Sequence, residues 1–194
     1  MDARLPGKLI ILSGPSGVGK STVVSRLLER CPLPLELSVS ATTRPPRAGE
    51  RDGIDYYFLT QPEFARRREE QQFLECKEVF GRGDWYGTPR QPVATGLVEG
   101  KWIILEIDVE GARAVLRSYP ECITIFVHCG SLGELERRLR GRGTEEEDAI
   151  QRRLEVARHE ILSLDLYRHV IMNDLPDRAV EEICGVLKSY ERAI

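Results

Sequence analysis

Between Gly14 and Ser21 the chain reads GPSGVGKS, with glycines at 14, 17 and 19, then Lys20 and a hydroxyl at Ser21. This satisfies G-x-x-x-x-G-K-[ST], and it lies between an apolar run (KLIILS, 8–13) and a helix-periodic one (TVVSRLLER), the context such a motif requires. Glycines let successive backbone N–H groups turn inward onto phosphate oxygens, and a following helix adds the positive end of its dipole. The expected nucleoside triphosphate site is therefore Gly14, Pro15, Ser16, Gly17, Val18, Gly19, Lys20, Ser21 and the adjoining Thr22. In it Lys20 reaches the β- and γ-phosphates and Ser21 is a ligand for Mg²⁺.

A metal-bound triphosphate calls for a second carboxylate at the end of another strand, and IILEID (103–108) offers Glu106 and Asp108. Two residues apart on a strand, they share one face and one site; the competing reading is that such acids cap the next helix. A phosphate loop alone does not separate a kinase from a GTPase or a motor ATPase. Residues 38–58, SVSATTRPPRAGERDGIDYYF, bear on that choice. Arg44 and Arg47, three apart on a proline-stiffened segment, make a clamp for an acceptor phosphate with Tyr56 adding a phenolic hydrogen bond, or else lie on a solvated turn.

The elements that must carry these residues alternate. KLIILS, WIILEIDV (102–109), CITIFVH (122–128) and YRHVIM (167–172) are Ile- and Val-rich runs, each followed by a helical pattern. Little period-2 alternation means strands buried on both faces, hence an α/β fold with a parallel sheet covered by helices. Two segments break the rhythm. Residues 38–88 combine short β-like pieces (DYYFL, FLECKEVF) with a polar helix at PEFARRREEQQ, a small mixed α/β insertion. Residues 134–160 form a long charged helical stretch interrupted at Gly141 and Gly143, with Thr144 and Glu147 predicted as a capping box. The expected division is a core of 1–37, 89–133 and 161–194, an insertion of 38–88, and a lid with its following helix at 134–160.

Whole-chain properties agree with a single compact enzyme-sized body. The 194 residues are 41% hydrophobic and 30% charged, with a formal net charge of −3, so no global field favours nucleic acid or an anionic membrane. No run approaches a membrane span, MDARLPGK is too short and polar for a secretory signal, and a cytoplasmic location is expected. Five scattered cysteines without a CxxC pair read as reduced, mostly buried thiols, and His128, His159 and His169 show no metal-ligand spacing.

Taken together, GPSGVGKS, SVSATTRPPRAGERDGIDYYF, FLE (73–75), WYGTP (85–89), EIDVEGA (106–112), RLRGRGTE (138–145), RRL (152–154) and VIMND (170–174) run through nearly the whole chain. In these motifs the sequence resembles the guanylate kinases, P-loop nucleoside monophosphate kinases. The resemblance implies a P-loop core, a GMP-binding insertion at 38–88, a helical lid, ATP as phosphoryl donor, Mg²⁺, and GMP as acceptor, with no obligatory protein partner. Matched residue by residue, it assigns the GMP phosphate to Arg44, Arg47, Tyr56 and Tyr86, and the guanine to Ser40, Glu75, Thr88 and Asp108. It gives Arg138, Arg142 and Arg153 to the transferring phosphates or the adenine, and Asn173 to the neighbourhood of the adenine ring. Lys20, Arg44, Arg47, Arg138, Arg142 and Arg153 are the catalytic set it implies. The chemistry is coherent, because guanine presents N–H donors where ionised carboxylates are acceptors only. The chain departs from compact family forms at FGRGDWYGTP, where Arg82, Asp84 and Trp85 replace a tyrosine-rich turn. A ribose bisphosphate kinase of similar architecture and a non-catalytic guanylate-kinase-like binding domain are the alternatives; the first would not need Glu75, Thr88 and Asp108, and the second usually has a degraded phosphate loop.

Overall fold

The computed structural model describes residues 7–79, 83–141 and 147–191. The first half runs β1 (Leu9–Ser13), α1 (Lys20–Arg30), β2 (Leu35–Leu37), β3 (Ala41–Thr42), β4 (Tyr57–Phe58), α2 (Gln61–Glu69), β5 (Phe73–Val79) and β6 (Asp84–Pro89). The second runs α3 (Arg90–Val98), β7 (Trp102–Glu106), α4 (Val109–Ser118), β8 (Ile123–His128), α5 (Leu132–Arg140) and α6 (Glu147–Ile161). A 3-10 turn at Leu164–Leu166, β9 (His169–Met172) and α7 (Pro176–Glu191) complete it.

Among the described residues, five strands form a parallel sheet in the order β2-β7-β1-β8-β9. The continuous apolar runs have a physical cause in β1, where alternate side chains enter different cores. Ile10 and Leu12 pack with Val23, Leu27, Leu135 and Ile183 from α1, α5 and α7. Leu9 and Ile11 pack with Val93, Val109 and Val115 from α3 and α4 on the other face. With β7 on one side and β8 on the other, the C-terminal end of β1 opens at the point where the strand order reverses, the usual ligand crevice of such sheets.

A second sheet, β4-β3-β6-β5, is mixed: β3 and β4 are parallel, while β6 is antiparallel to both β3 and β5. It has its own small core, where Phe64 of α2 stacks on Phe73 with ring centroids 4.5 Å apart and Ala41 and Trp85 close the cluster. Helix α2 starts where Thr60 accepts the Glu63 N–H, as a Thr N-cap should.

One local expectation needs correction. The apolar run at 102–109 is strand only to Glu106, because Asp108 turns out of the ladder and accepts the Gly111 N–H at 2.9 Å as the N-cap of α4. Glu106 and Asp108 therefore do not share a strand face, and for Asp108 helix capping wins. Helix α5 ends at Arg140 with Gly141 at its cap. Arg142 and the Thr144 cap, like Arg82 and the residues of MDARLPGK up to Pro6, lie outside the described residues.

Candidate active site

The phosphate loop is shaped by close packing against β8 and β9. Gly14 has φ +146, and a Cβ there would stand 2.0 Å from the Val127 carbonyl oxygen. Gly19 has φ +93, and its Cβ would meet Asn173 Nδ2 at 2.8 Å. Both positions therefore require glycine. Val18 buries its side chain in the core, while its carbonyl accepts from Asn173 Nδ2 at 2.7 Å and from Arg138 Nη1 at 3.3 Å. Asn173, expected near an adenine ring, is 2% exposed and grips the loop backbone from beneath, with its Oδ1 buried and unpartnered.

Lys20 begins α1 and folds back over the loop, donating to the Gly14 and Pro15 carbonyls at 2.5 and 3.1 Å. Burial pulls its pKa below the ordinary lysine value, against the opposing negative charges of Glu106, Glu160 and Asp108. Ser21 Oγ, in the first turn, donates to Glu106 Oε1 at 3.0 Å. A hydroxyl and a carboxylate side by side at a strand end are hard oxygen donors that fit Mg²⁺. Thr22 follows on the exposed side of the same turn. Ser16 Oγ accepts from Arg153 Nη1 of α6 at 3.4 Å, bringing α6 onto the loop.

Across the crevice Arg44 is held on three sides. Its Nε donates to the Tyr86 hydroxyl at 3.0 Å, its two terminal nitrogens donate to the two Glu50 oxygens at 3.0 Å each, and its guanidinium lies 5.4 Å from the Tyr56 ring centre. Glu50 also accepts the Arg47 backbone N–H at 2.7 Å, so one carboxylate organises the whole PPRAGE turn. The Glu50 hydrogen bonds push Arg44 further above its already high pKa. Tyr56 meets Tyr86 edge-on at 5.9 Å. A cavity of about 590 Å³ is lined by Arg44, Arg47 and Tyr86 on one side and by Arg152, Arg153 and His159 of α6 on the other. It joins the insertion's arginines to the helix that touches the phosphate loop.

Glu75 owes its position to a break in register. Phe73 pairs with Pro89 and Cys76 with Gly87, so Leu74 and Glu75 together oppose Thr88, which is a β-bulge. Phe73 and Cys76 consequently face the same small core despite their odd spacing, and Leu74 packs in the main core beneath α4. Thr88 Oγ1 donates to Glu75 Oε1 at 2.6 Å. Burial is the main force raising the Glu75 pKa, with the negative charge of Asp108 adding to it and the Thr88 hydrogen bond opposing it. Gly111 leaves room for this carboxylate, since a Cβ there would stand 3.2 Å from Glu75 Oε2. Asp108 pairs with Lys77 of β5, whose ammonium also reaches Glu110 at 2.9 Å. Ser40 immediately precedes β3, and its carbonyl accepts the Tyr57 N–H at 2.9 Å.

Comparison with known proteins adds a second line of observation. A protein-family model described as guanylate kinase matches residues 6–190. The chain belongs to the guanylate kinase family. It is 58% identical over 183 residues to the guanylate kinase of Rhodopirellula baltica, covering 94% of this chain and 88% of that one. It is 45% identical over 186 residues to a guanylate kinase of Thermus thermophilus, covering 96% and 83%. The crystal structure of guanylate kinase from Anaplasma phagocytophilum superposes with a TM-score of 0.78 at 32% identity, covering 96% of this chain and 87% of that one. The family fold, an α/β core with a parallel sheet flanked by helices, is therefore that of this chain.

Three residues that bear on the site were not singled out from the sequence. Glu50 lies among turn residues, Lys77 in an unremarkable strand, and Glu160 within a run of charged helix. Glu160 is the least expected of them, because one of its oxygens is buried without a partner while Lys20, Asp108 and Lys77 supply the charges around it. Its position on the buried side of α6, one helical turn from Ala157, was the available signal. Among the described residues, no helix is long and apolar enough to cross a membrane.

Proposed function

We propose that this protein transfers the γ-phosphoryl group of ATP to GMP, giving ADP and GDP, by direct in-line displacement. The observation that carries the reading is the opposition of two anion sites across one crevice. The phosphate loop with Lys20 stands on one side and the Arg44–Tyr86 pair on the other, with Arg153 of α6 lining the space between. A hydrolase of nucleoside triphosphates has no use for the second site, whereas transfer between two polyanions needs it.

In this reading the loop N–H groups and Lys20 hold the ATP phosphates. Arg44, Arg47, Tyr56 and Tyr86 hold the GMP phosphate, while Glu75, Thr88, Asp108 and Ser40 take the guanine. Glu75 suits that task because it is an acceptor already fixed by Thr88. Arg138 and Arg153, with Arg142, neutralise charge on the group in flight, and Asn173 acts by fixing the loop that carries it. Ser21, with Glu106 beside it, would hold Mg²⁺, which supplies charge neutralisation at the β- and γ-phosphates when bound. The acceptor phosphate is anionic near neutral pH, so no general base is required and catalysis consists of positioning and charge neutralisation.

Residues 38–88 serve as the acceptor-binding insertion, 134–160 as the lid with its following helix, and the remainder as core. Closure of the first two over the crevice excludes water, the competing acceptor. The test is ADP and GDP formation from Mg-ATP with and without GMP. GMP-dependent release of both products is expected; ADP release that ignores GMP would overturn the assignment.

A further inference from the structure

Two of the five cysteines meet far from the crevice. Cys31 caps the C-terminus of α1, Cys184 lies midway along α7, and their sulfurs are 2.8 Å apart although the residues are separated by 153 positions in sequence. Both are free thiols. Cys31 is part of the core beneath α1 and α7, and Cys184 packs against that core from the half-exposed side. No side chain of the phosphate loop or of the acceptor site touches either sulfur among the contacts described above. A disulfide bond is about 2.05 Å long, so closure needs the sulfurs to approach by roughly 0.8 Å.

We propose that Cys31 and Cys184 are a dithiol modification site that closes to an intramolecular disulfide under a peroxide-class oxidant. Cys184 is the less buried of the two residues, so in this proposal it attacks the peroxide O–O bond, giving a sulfenic acid and one water. The Cys31 sulfur then displaces the hydroxyl of that sulfenic acid, which leaves as a second water with the Cys31 proton. Two thiols lose two electrons and two protons, and one peroxide becomes two waters. Burial pushes the Cys31 thiol up to about 11, which suits it poorly for first attack and leaves it as the resolving partner, where contact compensates for low thiolate content.

The bond would tie the helix that begins with Lys20 to the helix that follows Asn173, enclosing most of the chain in one covalent loop. Its effect is on endurance rather than on the site: the unfolded state is constrained, while neither sulfur touches a phosphate-loop group. A rise in Tm of roughly 5–15 °C is expected for a bridge of ordinary worth in a chain of this size.

The experiment treats the reduced full chain with hydrogen peroxide, quenches with catalase, and follows free-thiol count, intact mass and peptide maps. Loss of two thiols, a mass decrease of about 2 Da and a Cys31–Cys184 linked peptide, all reversed by dithiothreitol, are expected. In Cys184→Ser and Cys31→Ala no such linkage forms. Retention of all five thiols, oxygen adducts without a cross-link, or linkage through Cys76, Cys122 or Cys129 would overturn the proposal. The wild-type map decides even if a variant fails to fold.

Discussion

The Thr88 hydroxyl and the Glu75 carboxyl form a 2.6 Å hydrogen bond across a β-bulge, in a pocket whose burial raises the carboxyl's pKa. A hydroxyl that donates to one oxygen orients the group and leaves its other lone pairs for a ligand with donors of its own. Desolvation makes the unpaired acceptor costly, and that cost is the source of selectivity for a base that can donate.

Glu75→Gln should therefore damage use of GMP selectively. A glutamine presents N–H donors where the carboxylate presented only acceptors, so kcat/KM for GMP is expected to fall about 100-fold or more, with far-UV circular dichroism unchanged. An unchanged kcat/KM would remove Glu75 from the guanine contacts.

Glu160 gives a pH-dependent prediction. Burial, reinforced by Asp108, raises its folded pKa above the ordinary 4.5, while Lys20 and Lys77 oppose the rise. The folded state therefore binds this proton more tightly than the unfolded state does. Stability that is fully present below pH 4.5 is lost as pH rises through the raised folded value. Glu160→Gln has no such proton to lose, so its Tm should gain on the wild type as pH is raised from 4 to 8. Tm profiles that stay parallel across that range would show that the carboxyl ionises without cost.

The Ser21–Glu106 contact predicts a shift in metal demand. Ser21→Ala should raise the Mg²⁺ concentration that gives half-maximal turnover by about 10- to 100-fold, and Glu106→Gln should move it in the same direction. Chelation with excess EDTA should stop turnover. A Mg²⁺ saturation curve unchanged in both variants would separate these residues from the metal.

Much of the fold was legible because its signals are local and strong. The apolar runs at 8–13, 102–106 and 122–128 had no alternation to hide, and GPSGVGKS carries its geometry in its glycines. What escaped depends on contacts that sequence spacing does not encode. The bulge that sets Leu74 and Glu75 side by side violates the period-2 rule, and the pairing of Glu50 with Arg44, six positions apart in a turn, has no motif. Asp108 was read on a strand because Ile107 extends the apolar run, but a carboxylate three residues before a free helical N–H forms a cap instead. The resemblance places Asn173 near the adenine ring; the hydrogen bond from its Nδ2 to the Val18 carbonyl is a contact that no spacing announces.

The pairing of an intact phosphate loop with an arginine–tyrosine acceptor site and a buried Glu75 is decided by a substrate panel. With Mg-ATP held constant, ADP release would be measured for GMP, AMP, CMP, UMP and ribose 1,5-bisphosphate. Turnover with GMP exceeding every other acceptor by roughly 10³-fold or more in kcat/KM is the predicted result, because of these bases guanine alone presents two adjacent N–H donors, N1–H and N2–H₂, to the buried acceptor. Comparable rates with AMP, or a preference for ribose 1,5-bisphosphate, would contradict it.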